Sequence, residues 1–288
     1  PTLGLRPSGL PLAQDTSGGQ TGEVAAVARR RTRALVKIQE GCDQRCSYCI
    51  VPSVRGSSRS CPQDEVVAEV NAWLARGYRE VVLTGTEIGA FGTPPPAPAC
   101  SVSSEYPRGI FGDGHGQGNG FGLEALVKRL LGETGVARLR LSSLQPQGMT
   151  NGLVALWKDK RICPHIHMSL QSGSDTVLQA MGRLYSAAEY RDAVARCREA
   201  IPDLALTTDV IVGFPGETET QFRESYEFCR EMAFAHIHVF SYSAREGTAA
   251  ARLPQVAEAD KKRRFREMSA LASESAGRSI AARIAMMA

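Results

Sequence analysis

The sequence has no apolar stretch near the ~20 residues that a membrane-spanning helix requires, which argues against an integral membrane protein. Its Gly/Ser/Pro-rich beginning contains no apolar segment typical of a secretion signal, so we expect a cytoplasmic protein in a reducing compartment. There is also no large charge imbalance, because the formal net charge is only +4 at pH 7. In such a compartment, the eight cysteines favour metal binding or catalysis over disulfides.

Basic residues concentrate in two runs, RRRTR at residues 29–33 and KKRRFR at residues 261–266. Runs of this kind can meet phosphate groups, but alone they are more often solvated helix faces or flexible arms. Charge therefore leaves nucleic-acid binding open without establishing it.

Strand and helix candidates alternate along most of the chain. Because parallel neighbours need a long crossover connection, this alternation predicts an α/β domain with a parallel sheet over residues 33–252. A partial β/α barrel fits best, although a doubly wound open sheet would show the same alternation. The six strand candidates are ALVKI near residue 34, EVVLTG near 80, ARLRLSS near 137, HIHMSL near 165, LALTTDVIV near 204 and AHIHVFSYS near 235.

Three further segments frame this domain. Residues 1–32 lack hydrophobic periodicity and are predicted to be a disordered leader or linker remnant. Residues 93–120 form a Pro/Gly-rich, low-complexity insertion that we expect to be a mobile surface loop. Residues 253–288 are predicted to be a C-terminal helical extension. Two helix starts within the domain carry capping-box patterns, Ser60 with Gln63 and Thr218 with Gln221.

Cys42, Cys46 and Cys49 follow the first strand candidate in the run GCDQRCSYC. Their C-x3-C-x2-C spacing indicates an iron-sulfur site, and since a four-iron cube needs four ligands, three cysteines leave one iron free to bind a small molecule. In a parallel barrel the loops after the strands converge on one face, which places this loop at the barrel mouth.

Two other metal sites compete with this interpretation. A zinc knuckle would use Cys61 or a histidine as fourth ligand, in a non-catalytic, zinc-stabilised RNA-binding module, but paired C-x2-C knuckles are absent. A ferredoxin-like store needs a fourth cluster cysteine, and the others are expected elsewhere. Cys197 and Cys229 lie on apolar helix stripes, Cys163 is expected to be buried, and Cys100 lies in the insertion.

Two His-Ile-His runs place His165 with His167, and His236 with His238, on one face of their strands. A second metal site is conceivable there. Histidines on a barrel's inner face more often fill the lumen with satisfied hydrogen bonds.

The cysteine loop, with Tyr48 as the aromatic residue before the last cysteine, resembles the signature of radical S-adenosylmethionine (radical SAM) enzymes. The resemblance implies a partial six-stranded parallel β/α barrel with a C-terminal helix. It also implies that Cys42, Cys46 and Cys49 hold a 4Fe-4S cluster whose open iron binds S-adenosylmethionine, which is cleaved to a 5′-deoxyadenosyl radical.

Further segments resemble the methylthiotransferases, which insert sulfur and a methyl group into tRNA or a ribosomal protein. The similarity covers about residues 33–251. It favours the branch that acts on threonylcarbamoyladenosine beside the tRNA anticodon, ahead of the isopentenyladenosine branch, with the ribosomal-protein branch third. The segments are GCDQRCSYCIVPSVRG, EVVLTGTEIGAFG, RLSS, CPHIHMSLQSGSD, MGRLY, TTDVIVGFPGET and HVFSYSAREGTAA.

The resemblance, together with positions at the ends of strands, supplies candidate cofactor-binding residues, whereas no catalytic residue is assigned. Glu87 is expected near the amino end of S-adenosylmethionine, and the small Gly85 would allow backbone to approach closely. A carboxylate at Asp209 needs a partner within an apolar strand, either Arg183 or a ligand amine. The candidates are Tyr48, Gly85, Glu87, Ser142, Gln171, Ser172, Arg183, Asp209 and Gly213.

The resemblance also implies partners. These are tRNA and an electron donor such as flavodoxin or ferredoxin, with no membrane and no DNA. Methylthiotransferases carry a second cluster on an N-terminal domain and an RNA-binding C-terminal domain. This sequence has no cysteine before Cys42. We therefore expect a radical SAM core that cleaves S-adenosylmethionine but does not methylthiolate tRNA unaided.

Overall fold

A computed structural model describes residues 32–93 and 122–287, with side chains to residue 285. Thr32–Ala288 forms one compact unit. All but the last residue of the predicted leader, and all but the first residue of the predicted insertion, lie outside the described residues. The predicted domain boundaries therefore stay predictions.

Eight strands are present in the described part of the chain. β4 and β5 are two halves of one strand candidate, interrupted at Ser142, so each of the six predicted strands is found. The very short β2 pairs antiparallel with β1 and was not predicted. The strands are β1 (Arg33–Glu40), β2 (Arg59–Ser60), β3 (Glu80–Gly85), β4 (Arg138–Leu141), β5 (Ser143–Leu144), β6 (His165–Met168), β7 (Ala205–Val212) and β8 (His236–Ser241).

The strand order excludes the open-sheet alternative. β1, β3 and β4 pair in parallel in one ladder, and β5, β6, β7 and β8 in another, so within each ladder the parallel strands follow one another in sequence order. A parallel bridge joins Leu139 of β4 to Ile162, which lies just before β6. Sequential order with right-handed crossovers puts the helices on one side, as in a barrel. The predicted partial six-stranded β/α barrel is confirmed.

One helix between the strands begins at a capping box that the sequence predicts. Thr218 accepts a hydrogen bond from the Gln221 amide, and the Gln221 side chain accepts one from the Thr218 amide, which confirms that capping box. The helices are α1 (Val51–Arg55), α2 (Gln63–Ala75), α3 (Leu123–Glu133), α4 (Asn151–Ala155), α5 (Asp175–Met181), α6 (Ala187–Ala200), α7 (Glu219–Met232) and α8 (Glu258–Met287).

The capping box predicted at Ser60 is wrong. α2 begins at Gln63 with Pro62 in the cap position and without a side-chain cap. Ser60 instead pairs with Gln39 in the β1/β2 ladder, and its hydroxyl accepts a hydrogen bond from the Gly92 amide at 2.9 Å. Ser60 therefore belongs to strand β2 and does not cap helix α2.

The main hydrophobic core lies between the strands and the surrounding helices. Tyr190 of α6 is fully buried there, and its hydroxyl donates to the Met168 carbonyl at 2.7 Å and contacts the Thr208 hydroxyl at 3.3 Å. Since side chains alternate along a strand, Thr207 and Asp209 must face the other side of β7. That side is the inner face of the barrel. No helix among residues 32–93 and 122–287 is long and apolar enough to cross a membrane.

Candidate functional site

The cysteine loop leaves the carboxyl end of β1 through a turn that only glycine fits. Gly41 has φ +75°, and a Cβ there would lie 2.1 Å from the Ser57 carbonyl oxygen. The Cys42 amide donates to the Gly56 carbonyl at 3.1 Å, and the Ser58 amide donates to the Asp43 carboxylate at 3.2 Å. The start of the loop, at Cys42 and Asp43, is therefore hydrogen-bonded to its end, at Gly56 and Ser58.

Other parts of the barrel fix the middle of this loop. The Ser47 amide donates to the Met181 carbonyl at 2.9 Å and the Ser47 hydroxyl to the Ala180 carbonyl at 2.8 Å, both at the end of α5. The Ala250 amide donates to the Ser47 carbonyl at 2.8 Å. These bonds hold Ser47, which lies between Cys46 and Cys49, against the end of α5 and against Ala250.

Cys42, Cys46 and Cys49 are free, half-buried thiols in the part of the chain that the structure describes. Burial raises the pKa of Cys42, and the neighbouring Glu87, Cys46 and Cys49 raise it further, because their negative charges would repel a thiolate. A backbone hydrogen bond at Gln44 opposes this rise. The Arg183 guanidinium donates to Cys46 Sγ at 3.3 Å. Three clustered thiols beside one guanidinium suit a cationic group that they can ligate.

The thiols are spaced for something larger than one zinc ion. Zn–S bonds of ~2.3 Å place tetrahedral sulfur ligands about 3.8 Å apart. Among the described residues, no group of cysteines has its ligand atoms within 4.8 Å of one another. Cys61 does not join the three, since its thiol donates to the Lys37 carbonyl at 3.3 Å. The arrangement fits a multi-iron cluster better than the zinc knuckle.

Tyr48 closes the inner side of the loop. Its ring meets Phe214 edge-on with centroids 6.4 Å apart, and Phe214 in turn meets Tyr242 at 5.6 Å. Burial raises the pKa of Tyr48, so the phenol stays neutral at physiological pH. The aromatic residue of the motif thus serves as packing that supports the cysteines.

Gln39 connects the cysteine loop to the loop after β3, and sequence analysis did not identify it. The side chain is 1% exposed. Its amide nitrogen donates to the Gly41 carbonyl at 2.8 Å and to the Ser58 hydroxyl at 2.9 Å. Its amide oxygen accepts from the Thr86 and Glu87 amides at 3.0 and 2.8 Å. One buried amide therefore fixes both loops.

We expect Gln39→Ala to lower the free energy of unfolding by about 2–3 kcal/mol, because buried donors and acceptors in both loops lose their partner. Urea unfolding followed by circular dichroism measures this. The matched control is Gln179→Ala, an exposed glutamine on α5, which should change stability by less than ~0.5 kcal/mol. Equal effects of the two substitutions would show that Gln39 does not hold the loops.

A cavity of about 360 Å³ opens beside the cysteines, a size within the range of small-molecule sites. Glu87 lies on its wall and accepts hydrogen bonds from the Gln145 side chain and the Gly89 amide. Burial raises the pKa of Glu87, although Gln145 and Arg183 oppose the rise. The cavity is lined by Cys42, Asp43, Gln44, Arg45, Glu87, Ala90, Thr93, Gly182 and Leu184.

Two hydroxyls at neighbouring strand ends fit a polar ligand at this edge. Thr86 Oγ1 and Ser142 Oγ are buried without a hydrogen-bond partner among the described residues. Buried hydroxyls without partners are costly, so a bound molecule that pairs with them would be favoured. Ser142 was predicted as a cofactor-binding residue and Thr86 was not, and neither is among the residues that line the cavity.

Of the predicted cofactor-binding residues, only Glu87 is among those that line that cavity. Gly85 is required by the neighbouring strand, because a Cβ there would lie 2.8 Å from the Gln39 carbonyl oxygen. Ser172 is fully buried with its hydroxyl 2.7 Å from that of Ser225 on α7. Gln171 adopts φ +68° and bonds through its backbone to β7. Gly213 has φ +71° and lies under the Lys261 stem.

Asp209 has a different partner from the one expected. Its carboxylate lies 3.1 Å from His167 Nε2, whereas Arg183, named above as a possible partner, bonds to Cys46 and Tyr185. His167 on β6 and Asp209 on β7 both point into the barrel. The pairing of these two adjacent strands brings the two side chains close together. The Arg183 alternative is therefore wrong, and the ligand-amine alternative stays a prediction.

Comparison with known proteins agrees with this site. Residues 36–229 match the radical SAM superfamily. Coproporphyrinogen III oxidase from Escherichia coli, titled a radical SAM enzyme, has a similar fold with a TM-score of 0.56 at 15% identity, covering 86% of this chain and 54% of that one.

Three curated relatives are methylthiotransferases. A threonylcarbamoyladenosine tRNA methylthiotransferase of Bacillus subtilis is 39% identical over 85% of this chain and 50% of its own length. The ribosomal protein uS12 methylthiotransferase of Geobacter sulfurreducens is 39% identical over 82% and 48%. A tRNA-2-methylthio-N(6)-dimethylallyladenosine synthase of Sorangium cellulosum is 41% identical over 78% and 44%.

These identities do not separate the three branches, so the order in which the motifs ranked them is not established. The chain spans about half the length of the curated relatives it matches. The resemblance inferred from the motifs is confirmed over the core. The chain belongs to the radical SAM superfamily, and its curated relatives are the methylthiotransferases.

Proposed function

We propose that this chain is the radical SAM core of a tRNA methylthiotransferase acting on an adenosine beside the anticodon, and that this adenosine is N6-threonylcarbamoyladenosine. The observation that carries the proposal is the pairing of a three-cysteine loop with a partly buried cavity at its side, in a chain 39–41% identical to methylthiotransferases. The substrate itself rests on the motifs of the second, fifth and sixth strands.

Cys42, Cys46 and Cys49 would hold a 4Fe-4S cluster with one open iron, which fits their spacing and their partly buried position. When bound, the cluster supplies the electron that cleaves S-adenosylmethionine into methionine and a 5′-deoxyadenosyl radical. Arg183 donates a hydrogen bond to the Cys46 sulfur at 3.3 Å and so helps to hold this ligand in place. Tyr48 packs edge-on against the buried Phe214 and so supports the loop that carries the cysteines.

Glu87 would accept hydrogen bonds from the amino group of S-adenosylmethionine. Its buried carboxylate has an elevated pKa, so an ammonium group nearby would stabilise the charged form. Thr86 and Ser142 offer unpaired hydroxyls at the same edge. The Gln39 side chain accepts a hydrogen bond from the Glu87 amide, which fixes the position of Glu87 relative to the cysteine loop.

Two other substrates have comparable support. The dimethylallyladenosine synthase is 41% identical, and the uS12 methylthiotransferase is 39% identical. The complete activity, tRNA as partner, an electron donor such as flavodoxin or ferredoxin, and a cytoplasmic location are proposed for the whole protein of which this chain covers a core.

The first test is chemical. We expect the 288-residue chain, reconstituted without air and reduced with dithionite, to convert S-adenosylmethionine to 5′-deoxyadenosine and methionine. The test variant is Glu87→Gln, which keeps the Gln145 contact but removes the charge. It should bind S-adenosylmethionine at least ~10-fold more weakly, a loss of about 1.4 kcal/mol in binding free energy. A chain with a full cluster that forms no 5′-deoxyadenosine would contradict the radical assignment.

The substrate is tested in cells that lack the full-length gene. Mass analysis of their tRNA nucleosides should show loss of the 2-methylthio group from threonylcarbamoyladenosine alone. Loss from the dimethylallyl nucleoside would support that branch instead. Intact tRNA together with unmodified uS12 would overturn tRNA as the substrate.

A further inference from the structure

Three side chains of types that ligate metal ions meet on the inner face of the barrel. His167, Asp209 and His238 come from the adjacent strands β6, β7 and β8, and Asp209 is the ladder partner of His238. One ligand atom from each lies within 4.8 Å of the other two. His167 Nε2 and Asp209 Oδ2 are 3.1 Å apart. Rigid strands, not loops, thus set the geometry of this group.

A second layer of hydrogen bonds orients His167. Thr207 Oγ1 lies 2.9 Å from His167 Nδ1 and 3.2 Å from His165 Nε2. In the tautomer whose Nδ1–H donates to Thr207, the lone pair of His167 Nε2 faces the carboxylate of Asp209. Two acceptors that face each other need a cation or a proton between them. An oriented histidine of this kind is typical of metal sites.

We propose that His167, Asp209 and His238 bind a divalent first-row transition-metal ion, for which Zn²⁺ is the best match. Two imidazole nitrogens and one carboxylate oxygen are a donor set typical of zinc sites that keep an open position. His167 and Asp209 are 12% and 25% exposed and His238 is exposed, so an ion can enter from the lumen. The open position would hold water or an oxygen atom of a bound ligand.

The site is distinct from the cysteine loop. That loop follows β1, and its ligands would be thiolate sulfurs, whereas the inner-face site uses only nitrogen and oxygen from β6, β7 and β8. This difference allows the two to be told apart spectroscopically even in one sample. It also makes the proposal independent of whether the chain methylthiolates anything.

The test uses the full chain with its iron-sulfur cluster already loaded, so that the cysteines are occupied. Titration with Zn²⁺ by calorimetry without air should show one additional ion per chain. His238→Ala should weaken binding ~100-fold, and Thr207→Ala, which removes the orienting bond to His167 together with the contact to His165, ~10-fold. The matched control is His236→Ala, whose ring lies 4.5 Å from that of His238 but outside the three ligands, and binding should change less than ~2-fold.

Zinc-edge X-ray absorption identifies the ligands directly. A first shell of nitrogen and oxygen at ~2.0–2.1 Å supports the site, whereas sulfur at ~2.3 Å means that cysteines bind the zinc and overturns it. Absence of stoichiometric zinc, or equal affinity in the His238→Ala chain, also overturns it. Because His238 is exposed, its removal should leave folding intact, which iron content and circular dichroism verify.

Discussion

The iron content of the reconstituted chain should fall from ~4 atoms to well below ~1 when Cys46 is replaced by alanine. A three-cysteine site has no spare protein ligand, so loss of one thiolate leaves two irons of the cube without protein ligands. Cys46 is the most sensitive position because Arg183 donates to its sulfur, and the substitution would also leave that guanidinium without this acceptor. Iron and sulfide analysis of air-free protein measures the effect.

Cys61→Ala is the matched control, since Cys61 is another half-buried cysteine but its thiol donates to the Lys37 carbonyl. It should retain full iron. Loss of iron in Cys61→Ala would mean a closed four-cysteine site, and full iron in Cys46→Ala would mean that other residues ligate the cluster. Either result would contradict the open-iron arrangement.

Arg264→Ala should destabilise the fold by about 3–5 kcal/mol at pH 8, because it leaves a buried carboxylate without its partner. Arg264 and Glu217 are 5% and 1% exposed, with Arg264 Nη1 2.9 Å from the carboxylate. The same guanidinium donates to the Glu217 carbonyl at 2.9 Å, and the Gly213 amide donates to the carboxylate at 2.7 Å. α8 is attached to the loop after β7 through this pair.

The neighbouring Arg263 provides the control. It pairs with Glu219, Asp260 and Glu267 at the surface, where such pairs contribute ~0–1 kcal/mol. Arg263→Ala should therefore cost far less than Arg264→Ala in urea unfolding. Equal losses of unfolding free energy in the two variants would show that the buried Arg264–Glu217 pair contributes no more to stability than the surface pairs.

The loss in Arg264→Ala should also depend on pH. Burial already raises the pKa of Glu217 in the intact protein, opposed by the Gly213 amide and Arg264, and removing Arg264 would raise it further. With a folded pKa above the unfolded one, the folded state retains a proton that the unfolded state has lost, so stability falls as pH rises. The substitution should be tolerated best near pH 5, and a loss independent of pH would contradict this.

The features that sequence analysis predicted correctly are those that depend on local patterns. The cysteine spacing, the six strands and the Thr218 capping box all arise within a few neighbouring residues, and the structure contains each of them. The two-residue β2 was missed because a strand that short carries no periodicity. Ser60 carried a helix-start pattern, but pairing with Gln39 decided its position.

Contacts between distant residues account for the rest. Gln39 bonds to Thr86 and Glu87, 47 and 48 residues further along the chain, and Glu217 meets Arg264 47 residues on. Nothing in the single sequence connects these positions. The partner of Asp209 was misassigned for the same reason, since β6 and β7 bring His167 beside it. Ser172 turned toward α7 because the chain bends after β6 at Gln171.

Electron-nuclear double resonance on the reduced, cluster-loaded chain tests the central claim most directly, using S-adenosylmethionine labelled with ¹⁵N at the amino group and ¹⁷O at the carboxylate. Coupling of both labels to the cluster is expected, because the three thiolates of Cys42, Cys46 and Cys49 leave one iron to bind that molecule. A fully loaded cluster that shows no coupling to either label would mean that every iron is already ligated, and would contradict the account.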